Sequence, residues 1–341
     1  MKLREITKLL FVASLVLFII PACVKEGPPG LDGADGADGI DGVDGADGAD
    51  GADGVAFCID CHNTATMDGF DAQWATSGHA AGSSLGYAGT RSGCANCHSG
   101  VGFVAWLNGG SDISGSPIDC KTCHTHGETP VFEDGEGNPV FLRTDEAVTL
   151  MADNTIEVSL ASGSNACVNC HQSRKAYTDI DADGDGIATI PSHYGPHYSS
   201  QTNMLVGTGG REFAGTTAYP ESGSSASAHA ELGCVSCHMS DSNHEFTTPM
   251  ISACTQCHSG ATNFDVNGKL TEIAGLVTEL EVLLAAEGAF ADGEVVEGVD
   301  VSVDVLGAAW NYLHIYDDHS QGVHNPAYTE ALLRNTIEKL Q

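Results

Sequence analysis

The chain has 341 residues, with 46 acidic against 13 basic side chains and a formal charge of −33 at pH 7. That length allows two or three domains, and the charge excludes a nucleic-acid binder, which needs a basic patch. The sign suits basic-faced protein partners or cations, besides keeping an exported protein soluble.

Residues 1–22 read as an export signal. Lys2, Arg4 and Lys8 form a basic start, and the apolar run 9–20 is too short for a comfortable membrane span. Ile20-Pro21-Ala22-Cys23 resembles a bacterial lipoprotein cleavage box, which makes Cys23 the expected lipidation site. Stable anchoring needs more than one acyl chain, and such an anchor tethers the protein to the outer membrane, at the cell surface or on the periplasmic side. Residues 23–57 form the lipidated N-terminus and a linker. Glycine recurs at every third residue from Gly27, in one Gly-Pro-Pro and eight triplets ending in Asp. That period is the steric condition for a collagen triple helix. Proline is nearly absent, however, and eight aspartates per strand would repel one another. An extended acidic spacer fits better, with a cation-assisted trimeric rod as the alternative.

Residues 58–341 carry six Cys-x-x-Cys-His motifs: Cys58/Cys61/His62, Cys94/Cys97/His98, Cys120/Cys123/His124, Cys167/Cys170/His171, Cys234/Cys237/His238 and Cys254/Cys257/His258. Two residues between the cysteines let one turn present both thiols to the vinyl groups of one haem, and the adjacent histidine falls under the iron. Zinc sites and disulfides also use paired cysteines, but neither needs a histidine after every pair. Six covalently bound haems c are therefore expected, with these histidines as proximal ligands. With 284 residues for six haems, the cofactors should replace much of the side-chain core. The expected fold is mainly irregular with α-helices and low β content, organised around packed haems and nearly unfolded without them.

Between the motifs, "EDGEGN" marks a hairpin turn within the strand-like stretch 130–160. Asp179, Asp181, Asp183 and Asp185 alternate as in a calcium loop, although position twelve is Ile190 rather than Glu, so calcium and a plain acidic turn both stay open. Beyond the last motif, apolar residues at a 3-4 spacing predict a helix over 269–287. A second is expected over 305–316, and Asn325-Pro326 opens a third over 326–340.

A haem with both axial positions filled passes electrons, whereas an open one binds small molecules. Nine histidines lie outside the motifs, more than the six distal positions require: His79, His126, His193, His197, His229, His244, His314, His319 and His324. All-histidine ligation implies low potentials.

The segments "WATSGHA", "CKTCHTH", "HYGPHYSSQTNML", "HAELGCVSCHM" and "SQGVHNP" resemble the multihaem c-type cytochromes related to nitrite reductase and hydroxylamine oxidoreductase, and their extracellular electron-transfer relatives. The resemblance implies distal roles for His79, His126, His197, His229, His244 and His324. His193 is a seventh candidate, in place of His126 or His197, and His314 and His319 are not expected to be ligands. Ammonia-forming nitrite reductases usually bind substrate at a Cys-x-x-Cys-Lys haem, a motif missing here. Arg174 and Tyr177 would line a substrate site, or else bind haem propionates or pack.

Three roles follow. An envelope-tethered electron carrier, not an enzyme, would serve respiratory or extracellular electron transfer, with basic-faced redox proteins, other cytochromes or extracellular acceptors as partners. Its exchange with basic donors should slow as salt rises. A reductase of a small nitrogen or sulfur oxyanion would instead need a five-coordinate haem. A self-associating lipoprotein would use the repeat to trimerise.

Overall fold

A computed structural model describes residues 63–82, 84–125, 132–133, 139–178, 184–247 and 249–341. The chain divides into two compact units, Met1–Ala52 and Asp53–Gln341, and all described residues belong to the second. The export signal, Cys23, the Gly-x-Asp linker, Cys58, Cys61, His62, His126, Asp179, Asp181 and Asp183 lie outside the described residues.

Up to the last motif the helices are short: α1 (Thr64–Ala75), α2 (Gly78–Ala81), α3 (Ala95–His98), α4 (Gly100–Leu107), α5 (Cys120–Cys123), α6 (Asn165–Val168), α7 (Gln201–Leu205), α8 (Ala228–Leu232), α9 (Val235–His238) and α10 (Ile251–Thr255). Strands are shorter still. β1 (Phe132–Glu133) pairs antiparallel with β2 (Pro139–Val140) on either side of the expected hairpin turn, and β3 (Val148–Thr149) with β4 (Glu157–Val158). β5 (Ile187–Thr189) crosses to β8 (Asp300–Ser302), whereas β6 (Phe290–Ala291) and β7 (Glu294–Val295) form a local hairpin. No helix among the described residues is long and apolar enough to cross a membrane.

The C-terminal part differs in kind. Here α11 (Lys269–Ala286), α12 (Val303–Tyr316) and α13 (Pro326–Leu340) pack together. α12 begins two residues before the expected 305 because Ser302 caps it, its hydroxyl accepting from the Val305 N–H. Asn325 caps α13 through the Tyr328 N–H, and proline occupies its first turn. Ile273, Leu280, Leu284, Leu306, Ala309, Leu332 and Leu333 are buried between the three helices, with Ala188, Ile190 and Met204 closing the cluster from the motif-bearing segment. A conventional apolar core therefore exists in this part. A second, smaller cluster joins Leu150, Val158, Leu160, Val168, Leu205, Val206 and Ala230. By contrast, α1 and α2 have no buried residue. The expectation of a meagre core suits the first half and fails in the last.

His314 shows the character of this core. It is buried in α12, Nε2 donates to the Thr208 carbonyl at 3.0 Å, and burial drives its pKa from 6.5 to about 4. The unfolded chain takes up this proton first as pH falls. The stability contribution is therefore full above pH 6.5 and is lost towards pH 4, by about 2 kcal/mol at pH 5. His314→Gln should remove this part of the pH dependence, read as urea midpoints at pH 7 and pH 5.

Candidate cofactor sites

The five described motifs share one local geometry. In each, the histidine N–H donates to the carbonyl of the first cysteine, at 2.8–3.0 Å. That closes a single helical turn, which puts positions i, i+3 and i+4 on one face. Two thiols and an imidazole are thus gathered on one side, as a covalently held haem requires. Where the turn stands alone, side chains secure it. In α5 the Asp119 carboxylate accepts from the Thr122 N–H while the Thr122 hydroxyl accepts from the Asp119 N–H.

The motif histidines are opposed by others from distant sequence. His171 faces His79 with ring centres 6.1 Å apart, His238 faces His324 at 6.2 Å, and His124 faces His244 and His258 faces His229, both at 6.3 Å. Two imidazoles on opposite sides of one iron have centres about 6 Å apart, given metal–nitrogen bonds of about 2 Å. The spacing leaves room for one metal ion between the rings and excludes direct stacking. The residues present fit a haem iron at these four sites.

Hydrogen bonds at Nδ1 leave Nε2 free to ligate. His124 donates Nδ1–H to Phe141 O at 3.1 Å, His238 to Thr247 O at 3.1 Å, His244 to Ser242 O at 2.8 Å and His229 to Val323 O at 2.6 Å. His324 alone among them uses a carboxylate, Asp318 Oδ1 at 2.5 Å. Such second partners fix the tautomer and the ring orientation. Burial lowers the pKa of His79, His124, His238 and His244, and takes His171 to about 4. Neutral imidazole at pH 7 is the form that binds a metal.

The second motif is arranged less symmetrically. His197 lies near His98, Arg174, Lys175 and His193, and desolvation together with these charges lowers its pKa. Arg174 Nη1 is 3.8 Å from Cys94 Sγ, so this side chain does stand beside a motif. The Tyr177 ring packs edge-on against Trp310 and under Arg211. His193 is held at the surface, its N–H donating to Glu297 and its carbonyl accepting from Lys175. His319 is exposed, beside Tyr316. Asp185 accepts from the Ile187 N–H in a local turn, and among the described residues no group of three acidic, histidine or cysteine side chains is placed to hold a free metal ion.

The motifs also touch one another. Cys97 of the second motif lies beside Cys170 of the fourth, and Cys167 of the fourth beside Cys234 of the fifth. Sγ of Cys97 lies 3.8 Å from Asn169 O, and Sγ of Cys170 the same distance from Asn96 O. Cys123, raised to about 12 chiefly by burial, also feels Cys167, while Cys237 lies near Cys254 and Cys257. His171 feels His238 and His324 as well as His79.

Several supporting residues carry no signal in the sequence. Gln73 and Phe70 of α1 brace His244, and Phe246 lies against both His79 and His244. Asp318 and Val323 brace His324 and His229. Only the short spacing from Asp318 to His324 could have suggested that pair.

No protein-family profile matches the chain. It is 24% identical over 336 residues to the C-type polyheme cytochrome OmcC of Geobacter sulfurreducens, covering 73% of this chain and 43% of that protein. Against OmcB of the same species it is 25% identical over 337 residues, covering 74% and 44%. The chain resembles multihaem c-type cytochromes. In fold it resembles the outer cell wall cytochrome OcwA, with a TM-score of 0.50 at 19% identity, over 79% of this chain and 50% of that one. The multihaem similarity thus spans most of this chain but under half the length of either Geobacter relative.

Proposed function

We propose that the chain is an electron carrier in which six haems c are attached at the six motifs and mostly ligated by two histidines each. The observation that carries the reading is the facing of four motif histidines by outer histidines at 6.1–6.3 Å. Cys94, Cys97, Cys120, Cys123, Cys167, Cys170, Cys234, Cys237, Cys254 and Cys257 would hold the haems of the five described motifs, and Cys58 and Cys61 the first. His98 takes His197, its electrostatic neighbour, and His62 takes His126 or His193. When bound, a haem supplies a reversible one-electron couple. The protein's part would be to offer two histidines to most of the irons, to hold each imidazole in one orientation, and to set the order of sites.

That order is branched. The fourth motif lies beside the second, where Cys97 Sγ is 3.8 Å from Asn169 O, beside the fifth, where the Val235 N–H donates to the Ser164 hydroxyl, and near the third, while the fifth packs beside the sixth. The location fits the carrier role: an exported protein, lipid-anchored through Cys23, with the acidic linker as spacer and other redox proteins or extracellular acceptors as partners. A calcium ion at 179–185 belongs to the same reading.

Spin-state spectroscopy of the purified holoprotein, with and without nitrite, tests it. Six low-spin haems indifferent to nitrite are expected, and His79→Ala should convert one to a high-spin, ligand-binding form. A high-spin haem in the wild-type protein that binds nitrite would instead support the oxyanion reductase.

A further inference from the structure

The segment between α12 and α13, "DDHSQGVHN", is fixed from within. The Asp318 side chain is 1% exposed, and its two oxygens accept from His324 Nδ1 and from the Ser320 hydroxyl. Ser320 Oγ in turn accepts from the N–H groups of Gly322 and His324. Gly322 has a φ of +94°, and a Cβ there would lie 2.4 Å from Ile273 Cδ1, so only glycine lets the loop sit this close to α11. Asn325 closes the loop by capping α13 and donating to Leu205 O.

Two adjacent residues of this loop serve two sites. His324 faces His238 of the fifth motif, while the Val323 carbonyl holds His229, which faces His258 of the sixth. Their hydrogen-bonding partners differ in charge. His229 donates to a neutral carbonyl, His324 to a buried carboxylate. Among the described residues no lysine or arginine forms an ion pair with Asp318.

A carboxylate at Nδ1–H makes the imidazole a stronger donor, and a nearby negative charge favours the more positive, oxidised iron. Burial leaves that charge weakly screened. We propose that Asp318 is a positioning residue that sets the fifth site below the sixth in reduction potential, so that one loop gives the terminal pair a direction. This rests on the reading of His324 and His229 as iron ligands. One electron is lost at the His238–His324 site and one is gained at the His229–His258 site. No bond forms or breaks, and the Nδ1 proton stays between His324 and Asp318.

The test is a potentiometric titration of the holoprotein followed by electron paramagnetic resonance, with His324→Ala locating the fifth site. His324→Ala should turn one low-spin haem high-spin, and its failure to do so would overturn the ligand reading, and the proposal with it. Asp318→Asn keeps an oxygen acceptor but removes the charge. It should leave all haems low-spin while the reduced-to-oxidised ratio of that one haem rises about tenfold at fixed potential, which is about 59 mV for a one-electron couple. Asp318→Glu should return the potential towards wild type. An all-low-spin Asp318→Asn protein with unchanged potentials would overturn the proposal. A high-spin haem in Asp318→Asn would also overturn it, by showing that Asp318 only holds His324 in place.

Discussion

A chain in which Cys167, Cys170 and His171 are all alanine is expected to carry one haem fewer and to conduct in disconnected pieces. The fourth motif is the place where the others meet. Its Cys170 Sγ lies 3.8 Å from Asn96 O of the second motif, the Ser164 hydroxyl just before it accepts from the Val235 N–H of the fifth, and Cys123 of the third lies near Cys167. His171 also lies within electrostatic reach of His79, His238 and His324. Removing a terminal site such as the sixth should cost the oxidisable content of one haem and nothing more. Removing the fourth should leave the fifth and sixth cut off from the second and third. Mass spectrometry would count the attached haems, and rapid-mixing reduction would follow their filling. In wild type all sites should fill in one fast phase; in the triple variant a substantial share should move to a slow phase. A single fast phase in the variant would show that the second, third and fifth sites reach one another without the fourth, and would sink the branched order.

The second large effect concerns the chain made without haem. Residues 63–125 should then lose their structure, whereas α11–α13 should persist. The reason lies in what each region buries. α1 and α2 bury no residue, and burial of apolar surface, at about 25 cal/mol per Å², is the main favourable term in folding. The C-terminal helices bury Ile273, Leu280, Leu284, Leu306, Leu332, Leu333 and Tyr328 against one another and against neighbouring segments. A surface network adds to this, with Lys269 and Arg334 each bonded to Glu272 and Glu330, though exposed ion pairs contribute little, about 0–1 kcal/mol each. Limited proteolysis of the haem-free chain should therefore yield a protected fragment containing 269–341. Digestion of that segment as fast as residues 63–125 would show that the side-chain core depends on the cofactors after all.

Local features were readable from the sequence because they have local causes. The 3-4 spacing of Leu270, Ile273, Val277, Leu280 and Leu284 marks the buried face of α11, and Asn325-Pro326 marks the start of α13 through a cap and a fixed φ. The motifs announced themselves by chemistry that needs two thiols and an imidazole on one turn. Partner choice has no such local cause. His79 meets His171 and His124 meets His244 across long stretches of chain, and nothing in "SGHA" or "SNHE" names its partner. The core of α12 was partly hidden for another reason. Its buried face includes His314 and Asn311, polar residues that blur the apolar period yet bond inward, to Thr208 O and to Arg211 and Thr336.

The position of His324 also bears on how the protein matures. Attachment at Cys234 and Cys237 needs only the motif itself, so it can proceed while the chain is still emerging. The outer ligand arrives some ninety residues later, on a loop that forms only when α12 and α13 have folded. On the proposed ligation, the iron of the fifth site stays exposed to small molecules until the C-terminal helices dock. A chain halted before Asp318 would then bear a reactive iron where the finished protein has a sealed one, and docking of the last two helices becomes the step that renders the cofactor chain chemically quiet.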